Sequence, residues 1–227
     1  ASIRRSLLLV VLLAVLPALA IVLYTGRELR DNVVAEAERF SLQQVQVMAA
    51  HHERVVDNAR LLLETLARAA EVRSLDPAAS QALLIDLLGR NEAYVSLALV
   101  DTAGHVVAAA PATGPADLHD RPFFRSAVTD NRFTVGDYTL REPEHRVVVE
   151  FAQPVAGDHG RPKGVLVAAF DLGSFGRIFY DLRLPEQSVF TLTDSQGTRL
   201  TRFPETGKYT WVKDLPRMIA RMSGAAE

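Results

Sequence analysis

Apolar residues run unbroken from Leu7 to Tyr24, eighteen positions without a charge and with one proline, Pro17. That length is close to the roughly 20 residues with which a helix crosses a bilayer. Ala18-Leu-Ala20 has the look of a signal-peptidase site. The apolar run continues past it through Ile21–Tyr24, however, and exceeds the usual core of about 7–15 residues in a cleaved leader. The pattern therefore predicts an uncleaved anchor over residues 1–26. Arg4 and Arg5 precede the run, which puts the N terminus in the cytoplasm and all that follows Tyr24 outside. From Arg27 to Arg73 there is neither Pro nor Gly, and apolar positions recur at spacings of three and four: Val45, Met48, Val55, Ala59, Leu62, Leu66, Ala69. This predicts one long helix, about 70 Å at about 1.5 Å per residue, with a heptad-like seam interrupted at His52. Such a seam packs against the chain's own domain or against a second copy, so a homodimer through the long helix is one expectation.

After Arg73 the pattern changes. Asp76-Pro77 opens a short helix over Ala78–Leu88, with Asp76 as N-cap, Pro77 in the first turn and Gly89 as the stop. Two stretches then share one template. Tyr94–Pro111 and Ser188–Pro204 each have a β-rich run, an Asp-x-x-Gly turn (Asp101 to Gly104, Asp194 to Gly197), a second run and a Pro seven residues after the Gly. Asp starts such a turn by bonding nearby backbone N–H groups, and Gly accepts the positive φ that closes it. Two copies in one register suggest a duplicated module. Between them lie strands at about 94–100 and 105–110, a loop over 111–119, a short helix from Asp120 to Val128, and strands at about 133–139, 146–154 and 164–170. Five antiparallel strands with helices segregated to one side make an α+β module over 91–171, preceded by the helical region 27–90. A linking helix at 172–187 leads to residues 188–227, read as the start of a second module with one hairpin and a fragment, Leu215–Met222. Two strands cannot close a core, so the natural protein is expected to be longer.

Composition excludes more than it identifies. Net charge is −2 with both signs interspersed, so there is no electrostatic case for nucleic acid. The chain has no cysteine, which removes disulfides and thiolate sites. His51 and His52 are adjacent on a helix and point their rings about 100° apart, so they make a poor metal clamp, and no other histidines have ligand spacing. No nucleophile elbow, phosphate loop or paired-carboxylate spacing emerges, so neither metal, cofactor nor enzymatic activity is expected of this segment. Arg121-Pro122-Phe123-Phe124 is the one constellation suited to a ligand. It sets a guanidinium at a helix mouth, beside free N–H groups and the positive dipole end, which suits a small carboxylate. The alternative is a helix capped by Asp120, with Phe124 in the core and Arg121 solvated. Glu150 interrupts the apolar run Val147–Pro154, and a solvated sheet face is favoured over a polar pocket. Tyr138 reads as core or pocket wall, and Asp171 as the N-cap of the helix after its strand.

The anchor, the long helix, Asp120-Arg-Pro-Phe-Phe124, the strand Gly164 to Phe170 followed by Asp171-Leu172, and the repeated hairpin together resemble the double Cache sensors of bacterial transmembrane receptors. The resemblance covers about 27–204. It implies tandem PAS-like modules on one long helix, on the periplasmic side of the bacterial inner membrane. The stretch Leu184–Pro204 is similar to second modules in front of histidine kinases and diguanylate cyclases. The distal module would bind a small molecule, with Arg121, Phe123, Phe124, Tyr138 and Asp171 as pocket residues and Glu150 a further candidate. The amino-acid-binding subgroup carries Tyr five residues before the Arg and Trp-Tyr after it. Here Ala116, Phe123 and Phe124 stand there, which argues against an amino-acid ligand and leaves a small carboxylate or another metabolite. The expected role is the sensor of a histidine kinase, with a diguanylate cyclase or chemoreceptor as the alternative output. A ligand-free dimerisation module is the rival class.

Overall fold

The computed structural model describes residues 24, 39–40, 42–43, 45–112, 117–141, 146–174, 189–194, 196–203 and 211–213. The anchor apart from Tyr24, most of the stalk before 45, the linking helix beyond residue 174 and the fragment Leu215–Met222 lie outside them. Among the described residues no helix is long and apolar enough to cross a membrane. The chain divides into two units, Ala1–Val55 and Val56–Glu227. In the first, every described residue is helical; Met48 is buried and Val45 exposed.

The second unit opens with helix α1 (56–66). Ala59, Leu63 and Leu66 are its buried stripe, so Leu63 takes the inward place expected of Leu62. The helix does not run on to Arg73. Residues 67–69 turn, with Arg68 N–H reaching Thr65 O at 3.2 Å and Ala69 N–H reaching Leu66 O at 3.0 Å, three-residue bonds that tighten a helix end. Ala69 then becomes extended (ψ 142°) and starts helix α2 (Ala70–Ser74), which buries Val72 completely. Helix α3 (Pro77–Arg90) is capped as expected, Asp76 Oδ1 accepting from Ala78 N–H at 2.9 Å and Ala79 N–H at 3.1 Å. It passes through Gly89 instead of stopping there. Asn91 ends it, its Nδ2 donating to Leu87 O at 2.8 Å.

Strands β1 (Tyr94–Asp101), β2 (Val106–Ala110), β3 (Thr134–Arg141), β4 (Arg146–Ala156) and β5 (Pro162–Asp171) form an antiparallel sheet in the order β2-β1-β5-β4-β3. The edge strand β2 is closed by α3, where the Gln81 side-chain amide donates to Ala109 O and accepts from Ala109 N–H. That occupies the outward donor and acceptor of Ala109, one way of blunting an edge against another strand.

Helix α4 (Pro122–Asp130) packs on one sheet face. Phe123, Phe124 and Ala127 cluster there with Val100, Ala152, Val165 and Val167. The opposite side chains, Leu97, Leu99, Phe151, Leu166 and Ala168, are equally buried. On that side α2 and α3 lie against the sheet, and Phe133 stacks on Phe151 beneath the Arg60 guanidinium of α1. The expectation of helices on one side is therefore corrected: both faces are covered.

Strands β6 (Phe190–Thr193), β7 (Thr198–Phe203) and β8 (Val212–Lys213) make a second, three-stranded antiparallel sheet. The two repeated turns are built alike. Asp101 Oδ1 accepts from Ala103 and His105 N–H, both at 2.9 Å; Asp194 Oδ1 accepts from Gln196 N–H at 2.8 Å and Thr198 N–H at 2.7 Å. Gly104 and Gly197 hold φ of 100° and 75°.

Candidate ligand-binding site

Arg121 is brought to the sheet by the way α4 begins. Pro122 supplies the helical φ of the first turn, and the N-cap residue is Arg121 itself, extended at φ −77° and ψ 124°. The expected Asp120 cap does not form. Arg121 makes no side-chain capping bond, and its guanidinium is free to lean over the sheet. Below it, Phe123 and Phe124 are buried in the α4 cluster, so both rings fix the helix in place. Gly136 of β3 allows this closeness. A Cβ there would come within 3.0 Å of Glu150 O and 3.2 Å of the Phe123 side chain.

Glu150 is the residue over which Arg121 leans. It pairs with Ala169 of β5, which pairs with Ser96 of β1, so Ser96, Ala169 and Glu150 form a row across three strands on the α4 face. The solvated-face reading of Glu150 is overturned: it is 3% exposed. The reason is that β4 lies inside a sheet covered on both sides, where alternation no longer separates wet from dry positions. Two cations flank its carboxylate. Arg121 Nη2 stands 3.9 Å from Oε2, and Arg141 Nη2 stands 3.8 Å from Oε1. Both gaps exceed hydrogen-bond length. Arg141 reaches across from the end of β3 and is tied down by donating to Ser96 Oγ at 3.0 Å. Burial raises the Glu150 pKa above its ordinary value, with Arg121 and then Arg141 pulling it back only in part.

Asp171 lies on the same face and is occupied on both oxygens. Arg146 Nη1 donates to Oδ2 at 3.3 Å, and Gly173 N–H donates to Oδ1 at 2.8 Å, closing the turn that follows β5. Tyr138 is not brought to this cluster. The register sets it opposite Val149, one residue out of phase with Glu150, so alternation gives it the face of Val149 and Phe170. Of the residues named from the sequence, Arg121, Glu150 and Asp171 share one face above the buried Phe123 and Phe124, and Tyr138 does not.

Three polar contributors went unnamed: Ser96, Arg141 and Arg146. A signal for two of them existed. Arg141 and Arg146 are cross-strand partners, and like charges directly opposite destabilise a sheet unless each finds a counter-charge. Here Arg141 turns to Glu150 and Arg146 to Asp171. Among the described residues no group of acidic residues and histidines could hold a metal.

The family dCache_1, described as a Cache domain, matches residues 25–215. No curated protein matches the chain. Solved structures do. The sensor domain of the V. cholerae histidine kinase DctB is 15% identical, with a TM-score of 0.62 over 81% of this chain and 73% of that one. A domain of a sensory box/GGDEF family protein from Vibrio parahaemolyticus is 13% identical, with a TM-score of 0.61 over 82% of this chain and 83% of its own. The ligand-binding domain of the Pseudomonas aeruginosa amino acid chemoreceptor PctB, in complex with L-Arg, is 25% identical, with a TM-score of 0.53 over 69% of this chain and 67% of that one. With its five-stranded antiparallel sheet and the family match over most of its length, the chain belongs to the dCache_1 family of Cache domains.

Proposed function

We propose that the chain is the extracytoplasmic sensor segment of a transmembrane signalling receptor and that its ligand is a small carboxylate held by Arg121 and Arg141. The observation that carries this reading is the pair of guanidiniums on one sheet face, with Arg121 45% and Arg141 25% exposed and only the small side chain of Ala169 between Glu150 and Ser96. A guanidinium presents paired donors that match a carboxylate. The N-terminal amides of α4 add further positive potential at the same place.

Membership of the Cache family and likeness to sensor domains support the sensor role. The likeness to the PctB domain, which is in complex with L-Arg, supports a small-molecule ligand. The run Leu7–Tyr24 behind Arg4 and Arg5 supports the extracytoplasmic side. A histidine kinase is the output we favour, and the DctB likeness supports it. Likeness to the GGDEF-family domain and to PctB supports a cyclase or chemoreceptor as the alternative. The segment acts by binding and not by turnover.

Thermal-shift and calorimetric screening of the full chain against small carboxylates tests the reading. A stabilising carboxylate is expected, and Arg121→Ala should weaken its binding by about tenfold or more, the loss of a charge-assisted hydrogen bond. A screen without a hit, or a hit insensitive to Arg121→Ala, would falsify it.

A further inference from the structure

Glu150 is the group that a plain carboxylate site does not need. Its side chain is 4% exposed and charged when ionised, and no hydrogen bond from the described residues reaches it. Burying a carboxylate with so few hydrogen bonds is costly, so a donor supplied by a bound molecule would stabilise it. Its two oxygens face Arg121 and Arg141 across 3.9 and 3.8 Å. An anion bound between those guanidiniums therefore comes to lie beside a second carboxylate. The repulsion is relieved only if the bound molecule turns a hydrogen-bond donor towards Glu150.

Charge decides which donor. Arg121 and Arg141 contribute two positive charges and Glu150 one negative, while Arg146 and Asp171 neutralise each other. Among the described residues the cluster is left at +1, which a monocarboxylate neutralises. A dicarboxylate would overshoot to −1. An ammonium group would bring a third cation beside two guanidiniums and leave +1 uncompensated. A hydroxyl donates without adding charge, and on the carbon next to the carboxylate it lies within reach of Glu150 while the carboxylate stays with the arginines.

Building on the carboxylate-sensor reading above, we propose that Glu150 is the specificity-determining residue of this site and selects 2-hydroxy monocarboxylates, its carboxylate accepting a hydrogen bond from the ligand's hydroxyl.

The test is calorimetry on the full chain at pH 7 with two matched sets that differ only at carbon 2: propionate, lactate and alanine, then butyrate, 2-hydroxybutyrate and 2-aminobutyrate. In at least one set the hydroxy acid should bind about tenfold or more tighter than both partners, the usual weight of a hydrogen bond to a charged acceptor. Glu150→Gln removes the negative charge and keeps an acceptor. It should tighten binding of the unsubstituted acid and shrink the preference for the hydroxy acid to about threefold or less. A purely structural glutamate would weaken all ligands together. If the unsubstituted acid binds as well as the hydroxy acid, or the amino acid binds best, the selectivity proposal fails while the carboxylate pocket stands. If no member of either set binds, the selectivity proposal fails, and the wider carboxylate screen separately decides the sensor reading.

Discussion

Moving a carboxylate out of water disfavours its ionised form, and nearby cations restore that form only so far as their geometry allows. At Glu150 desolvation wins over Arg121 and Arg141, so the folded-state pKa lies above its ordinary 4.5. The linkage follows in sign. A raised carboxyl pKa means that the folded state holds the proton more tightly than the unfolded chain. The associated stability is fully present below the ordinary value and is lost as pH rises through the raised one. Melting temperature measured against pH should therefore fall in wild type relative to Glu150→Gln across that window, and the two curves should run parallel at lower and higher pH. A constant offset at every pH would mean that Glu150 does not titrate differently in the folded state. The glutamate was visible in the sequence as the one charge in Val147–Pro154, but its face was not. A strand buried on both sides reads as a continuous apolar run, and such a run has no alternation from which to assign an orientation.

The elements with local causes were legible, and those with tertiary causes were not. The Asp-x-x-Gly turns and the Asp76 cap are specified by side chains bonding to backbone two to four residues away, so both were readable without any knowledge of packing. The turn at 67–69 has no Gly or Pro to announce it; it breaks a helix so that α2 can bury Val72. The first repeated turn gives a prediction on this scale. Asp101→Ala removes both backbone bonds to Oδ1 and the contact of Oδ2 with His105 Nδ1 at 3.2 Å, and should lower stability by about 1 kcal/mol in urea unfolding. Gly104→Ala should cost more than Asp101→Ala. Its φ of 100° suits glycine, and an added Cβ would fall 2.6 Å from the backbone nitrogen of His119. If Gly104→Ala is tolerated as well as Asp101→Ala, the close approach of that backbone is not what holds the turn.

At the scale of the whole molecule, stability follows from how each sheet is covered. The strand Gly164–Phe170 is apolar at every position after its glycine, which marks it as buried on both faces and thus central; the structure sets β5 between β1 and β4. The strand order itself was not readable, because no local pattern states which distant strand β5 will join. In the five-stranded sheet α4 covers one face, the other face is equally buried, and Gln81 closes the β2 edge. The second sheet has strands of four, six and two residues, and its fully buried large side chain is Leu200. Local opening takes less free energy where fewer apolar groups are buried. Hydrogen exchange followed by mass spectrometry should therefore find amides of β1, β4 and β5 exchanging only through global unfolding, with slopes in denaturant equal to the equilibrium value. Amides of β6 and β7 should exchange earlier and with shallower slopes, through sub-global opening. Equal protection in the two sheets would show that the short strands share one cooperative unit with the long ones. Addition of the hydroxy acid proposed for the Arg121–Arg141 site should slow exchange in β1, β4 and β5 by the free energy of binding, since the ligand stabilises the folded state that it occupies. Any slowing in β6 and β7 would then measure directly how much of that binding energy reaches the second sheet.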